Sequence, residues 1–112
     1  MRLSCLGLLL LVSSCASNVG PDGLAVGGPC SDEFDCAAGS YCLRRFDFPN
    51  GTCTTNCNDT ADCRGGSVCV DLESGVCLLS CRTDADCGRD GYVCREMDEP
   101  GTTERAWVCG GG

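Results

Sequence analysis

The chain has 112 residues, of which 14 are Cys and none is His. Its basic residues are all Arg, eight of them, against 16 carboxylates, for a net charge of −8. Cysteine above about 8–10% of a short chain marks a disulfide scaffold. The acidic balance, with no basic cluster, argues against nucleic acid as a partner. Missing His and Lys removes the Ser–His and Cys–His nucleophile pairs, Schiff-base chemistry and the commonest metal ligand. We therefore expect no enzyme and no cofactor.

The N-terminus reads as an address. Met1-Arg2 precedes the apolar run Leu6–Val12, which is far shorter than the roughly 20 residues of a membrane span and fits the core of a secretory signal. Val12-Ser13-Ser14-Cys15 resembles the lipobox of bacterial lipoproteins. That resemblance implies a signal peptide over residues 1–14, cleavage before Cys15 and acylation of Cys15, giving a membrane anchor. The alternative is an ordinary signal cleaved after Ala16, and a secreted product. Cysteine number supports export: discarding Cys5 and lipidating Cys15 leaves an even set of twelve. Residues 16–29 contain four Gly and two Pro. Together with Cys15 they predict a lipidated, flexible tether over 15–29.

Next come three copies of one unit, spanning 30–53, 57–77 and 81–109. The first has Cys30, Cys36, Cys42 and Cys53; the second Cys57, Cys63, Cys69 and Cys77; the third Cys81, Cys87, Cys94 and Cys109. Three residues separate each unit from the next, and Gly110-Gly111-Gly112 stands in the spacer position after the last. Asp precedes the second Cys in every unit (Asp35, Asp62, Asp86). Gly lies three residues before the third Cys (Gly39, Gly66, Gly91). A period of about 24–27 residues indicates tandem small modules.

The fold class expected is small and disulfide-rich, with short β-hairpins and little helix. Each hairpin runs from the third to the fourth Cys, turning at Asn50-Gly51, Ser74-Gly75 and Pro100-Gly101. A two-residue loop near Ser74 would place Cys69 and Cys77 on opposite pleat faces. They would then not bond each other. That leaves first–third with second–fourth, which is preferred, or first–fourth with second–third. Between Cys30 and Cys109 only 16 of 80 residues are large and apolar. The bridges, at about 3 kcal/mol each, are expected to dominate stability.

The run Cys30-Ser-Asp-Glu-Phe-Asp-Cys36-Ala-Ala-Gly-Ser-Tyr-Cys42 resembles the N-terminal cysteine-rich domain of Dickkopf proteins. Cys81-Arg-Thr-Asp-Ala-Asp-Cys87 resembles the core of tandem units in exported myxobacterial proteins. Both resemblances imply a fold rather than a ligand. Whey acidic protein inhibitors are more distant, because their adjacent Cys-Cys pair is absent.

Several sites are candidates for more. Metal binding by the cysteines is a lesser alternative, since no Cys-x-Cys or Cys-x-x-Cys occurs. Asp84, Asp86 and Asp90 could hold Ca²⁺, but the Asp before each second Cys is better read as a turn cap. Asn50-Gly51-Thr52 and Asn58-Asp59-Thr60 are glycosylation sequons, idle in a bacterial lipoprotein. Among the aromatics, Tyr41, Tyr92 and Trp107 are expected to pack over bridges, with Phe46 and Phe48 equally suited to contact. The long loop Arg95–Val108 is the first candidate for a partner.

The sequence thus predicts an exported, membrane-anchored binding or structural module at the outer membrane or cell surface. Its partner would be another protein or an envelope component. A secreted protease inhibitor presenting a bridged loop is the alternative.

Overall fold

The computed structural model describes residues 18–112. The expected signal peptide, 1–14, and the expected lipidation residue Cys15 lie outside the described residues. Six strands form three antiparallel hairpins, one per unit. β1 (Tyr41–Leu43) pairs with β2 (Thr52–Thr54), β3 (Ser67–Val70) with β4 (Val76–Leu79), and β5 (Tyr92–Asp98) with β6 (Arg105–Gly111). A single 3-10 turn precedes each hairpin: Glu33–Asp35, Thr60–Asp62 and Asp84–Cys87. The fold is therefore small, disulfide-rich and mostly β, as expected.

All twelve cysteines of the units are paired, first with third and second with fourth. The bridges are Cys30–Cys42, Cys36–Cys53, Cys57–Cys69, Cys63–Cys77, Cys81–Cys94 and Cys87–Cys109. The preferred pairing is correct, but the register that suggested it is not. Cys69 stands directly opposite Cys77, as Cys42 does Cys53 and Cys94 does Cys109. The β3–β4 connection has five residues, 71–75, instead of two. Glu73, Ser74 and Gly75 all take positive φ in it. The reason lies at Gly75, where a Cβ would come 2.1 Å from the Cys57 carbonyl oxygen. The returning strand is thus pressed against the start of its own unit. The opposed cysteines sit side by side and reach different partners across the turn.

The repeated residues have local causes. The Asp35 carboxylate accepts from Ser31 N (2.7 Å), Asp62 from Asn58 N (2.8 Å) and Asp86 from Arg82 N (2.8 Å). Each closes its 3-10 turn onto the first Cys of the unit. Gly39, Gly66 and Gly91 have φ of 88°, 93° and 84°, a region that side chains disfavour.

The units are not beads on a string. Leu43 and Phe48 of the first, Val70 and Val76 of the second, Leu78 of the spacer that follows it, and Tyr92 and Val108 of the third share one buried cluster. The first unit meets the second through an Arg45–Glu73 ion pair and a Thr54 Oγ1 hydrogen bond to the Cys77 carbonyl (2.6 Å). The second meets the third through Asp71 N to the Asp98 carbonyl (2.7 Å). The third returns to the first through Gly111 N to the Asp47 carbonyl (2.8 Å). The three units close on one another. The terminal glycines are part of this closure, because a Cβ on Gly111 would lie 2.6 Å from that Asp47 oxygen.

The spacers belong to two units at once. Thr54 ends β2, while the Thr55 carbonyl accepts from Cys77 N and Asn56 bridges to Val76. Leu78 and Leu79 end β4, while Ser80 bridges to Val108. Gly27 and Gly28 lie along Cys53 in the same way, with hydrogen bonds of 2.9 Å each.

This corrects the tether. Residues 18–29 are folded: Val19 bridges to Val26, and Ala25 and Val26 are buried with Cys57, Cys69 and Cys77 in a second core cluster. Glycine richness here reflects close packing. A Cβ at Gly23, Gly27 or Gly28 would fall within 2.6 Å of a backbone oxygen.

Candidate functional site

Most polar side chains that could carry chemistry hold the fold together. Asp35 and Asp86 have their pKa values lowered, chiefly by backbone N–H donation from Ser31 and Arg82. Asp84 Oδ1 accepts from Cys94 N (2.8 Å), and Thr60 Oγ1 plays the same part for Cys69 N (3.2 Å). Asp86 therefore caps the turn, and Asp84 ties it to β5. The sequon threonines are likewise engaged: Thr60 in that hydrogen bond, and Thr52 buried in β2.

The cysteines cluster further than spacing alone indicates. In each unit the first, second and fourth sulfurs lie within 4.8 Å of one another: Cys30/Cys36/Cys53, Cys57/Cys63/Cys77 and Cys81/Cys87/Cys109. The two bridges of a unit are thus stacked. Every one of these sulfurs is already in a disulfide, and a disulfide sulfur is not a thiolate ligand.

Arg89 has no signal in the sequence but organises the centre of the molecule. Its guanidinium donates to the carbonyls of Gly27 (3.0 Å), Pro49 (3.1 Å) and Gly51 (2.8 Å). Tyr92 Oη donates to the same Pro49 oxygen at 2.9 Å, and burial raises its pKa. One Arg of the third unit thereby holds both the N-terminal segment and the first unit.

The two most exposed aromatic rings, Phe34 and Phe46, are both on the first unit. The 44–51 loop and the 29–31 segment frame an open groove of about 720 Å³. Phe46 stands at it with 95% of its surface exposed, whereas Phe48 is buried in the shared core. Arg44 lines the groove, while Arg45 is tied to Asp47 and Glu73. The equal expectation for the two Phe residues thus resolves into one exposed ring and one core ring. Tyr92 packs with Cys87 and Cys109 as expected, but Trp107 is 53% exposed. Phe34 is 88% exposed. It stands where the other units have Ala61 and Ala85, a difference visible once the units are aligned.

The presumed loop Arg95–Val108 is largely ladder. β5 and β6 pair as far as Asp98 opposite Arg105, leaving only 99–104 as an apical turn. Arg105 Nε lies 3.2 Å from Asp98 at its base. Pairing extends this far because Tyr92–Asp98 faces an equally extended Arg105–Gly111.

No known family model matches the chain, and no curated protein or solved structure resembles it significantly.

Proposed function

We propose that this protein is an exported, lipid-anchored, non-catalytic disulfide module that binds a protein or other envelope component through its first unit. The observation that carries this reading is the exposure of Phe46 beside an open groove, on a unit whose own core is complete without it. Aromatic anchors of this kind concentrate binding energy. The carboxylates of Asp35, Asp84 and Asp86, which an enzyme would need free, are occupied by backbone N–H groups. Export is supported by the complete pairing of the described cysteines. The anchor is supported by the Val12–Cys15 lipobox.

The intact mass of protein from its native host, before and after reduction and alkylation, tests the reading. Twelve alkylation sites appear only after reduction, and Cys15 carries an acyl increment. A mature chain starting at Ser17 without lipid would defeat the anchor. Free thiols holding metal would defeat the disulfide module. Inhibition of a protease panel at micromolar concentration would favour the inhibitor alternative.

A further inference from the structure

A second exposed apolar area, apart from the Phe46 groove, is shared by the N-terminal segment and the first unit. Leu24 is 50% exposed and Phe34 88%. They are joined through the turn between them. Ala37 N donates to the Leu24 carbonyl at 2.7 Å, and Ser40 Oγ to the Ala25 carbonyl at 3.0 Å. Phe34, Ala37 and Ala38 line one shallow depression. Leu24, Phe34 and the two alanines thus form one face, and nothing in the fold requires a large ring at position 34.

This face adjoins the first described residue, Asn18. The Asn18 carbonyl accepts from Ala25 N (2.9 Å) and Val26 N (3.0 Å). The first described residue is therefore held beside the residues that flank Leu24. Only Ala16 and Ser17 separate Asn18 from Cys15. Three residue steps cover at most about 11 Å. An acylated Cys15 would hold the body within that reach of the membrane, and the Leu24–Phe34 face is one of the surfaces beside Asn18.

We propose that the Leu24–Phe34 face rests on the bilayer surface, with both side chains in the headgroup region. This rests on the reading of Cys15 as the lipidated residue. An apolar face of this type is buried about 5–10 Å into the headgroup boundary when it binds. Glu33 lines the depression, and exposed Asp22 and Asp32 are each two residues from an apolar contact. The face therefore suits zwitterionic headgroups, and anionic lipid repels it. The anchor supplies the affinity, and the two apolar side chains set which side of the module faces down.

The chain has one Trp, Trp107, so a second probe is straightforward. The lipidated Phe34→Trp/Trp107→Phe protein is placed in vesicles of phosphatidylethanolamine and phosphatidylcholine, with the lipidated native protein as reference. The indole at position 34 is expected to shift its emission to the blue on vesicle association. Acyl-brominated lipid should quench it at least about twofold more than Trp107, with less quenching when phosphatidylglycerol is added. Equal quenching of the two indoles, or quenching at position 34 only by aqueous iodide, would overturn the proposal. So would a shift that needs envelope protein and not lipid. The intact mass of the same sample separates the two failures. An unacylated Cys15 refutes the anchor, whereas an acylated Cys15 with an unquenched indole refutes only the docking face. A Leu24→Gln change in the Phe34→Trp/Trp107→Phe protein should leave it on the vesicles, through the anchor, while quenching of its indole by acyl-brominated lipid falls.

Discussion

The Arg89 guanidinium lies 4.2 Å over the ring of Tyr92, and both side chains donate to the Pro49 carbonyl. One cation over one ring thus fixes how the third unit meets the first. Its removal leaves the carbonyls of Gly27, Pro49 and Gly51 short of donors. Arg89→Ala should destabilise by about 2–4 kcal/mol in denaturant unfolding with bridges intact. Arg105→Ala, which breaks an exposed pair, should cost under about 1 kcal/mol. Arg89→Lys should rescue poorly, because an ammonium lacks the planar fork. Equal effects at 89 and 105 would refute the clamp.

The bridges differ in weight. Cys30–Cys42 closes 12 residues and lies outside the shared core, while Cys87–Cys109 closes 22 and both its cysteines are in that core. Replacing Cys30 and Cys42 by Ala should cost about 3 kcal/mol. The Cys87/Cys109 pair should cost about 1–2 kcal/mol more. Chain entropy explains only about 0.5 kcal/mol of that difference, and lost packing the rest. Thermal midpoints of the two double variants decide it.

Gly75 and Gly101 both take positive φ, 107° and 73°. Only at Gly75 would a Cβ strike backbone, at the Cys57 carbonyl; at Gly101 it meets open space. Gly101→Ala should cost about 1 kcal/mol from backbone strain alone. Gly75→Ala should cost more than twice as much and slow oxidative refolding of the second unit. Similar midpoints for the two would show that the close approach relaxes freely.

Acid should loosen the molecule before base does. The Asp35, Asp86 and Asp47 carboxyls are held below their ordinary pKa by backbone donors at the first two and by Arg45 at the third. A depressed folded pKa gives stability that is complete above the unfolded value, about 3.9, and is lost as pH falls through the folded value. Denaturant midpoints should hold from pH 7 to about 5 and fall below about pH 4. Asp35→Asn and Asp86→Asn should flatten that fall. A midpoint independent of pH from 6 to 2 would contradict it.

Spacing made the units and the turn-capping Asp residues readable, because a repeat and a one-residue cap act over few positions, whereas the preferred pairing followed from a two-residue loop that the structure does not have. Register was not readable. The close approach of Gly75 to Cys57 forces a five-residue loop that no turn dipeptide announces. The folding of 18–29 was hidden for a related reason, since glycines that admit a neighbouring backbone and glycines that leave a chain loose look alike in composition. Arg89 escaped because its three acceptors are carbonyls, which every residue has. The Phe46/Phe48 distinction needed the third dimension: two rings two residues apart in one loop, one in the core and one in solvent.

The shared spacers have a consequence for how such a chain can vary. Thr54-Thr55-Asn56 and Leu78-Leu79-Ser80 have little in common, and each serves as the last rung of one hairpin and the edge of the next. Their chemistry is therefore free while their length is not. One inserted residue would turn the following segment over, so that side chains bound for the interior faced water. Tolerance in this protein should follow a ruler: substitutions pass at the joints, and insertions are accepted only in the apical turns.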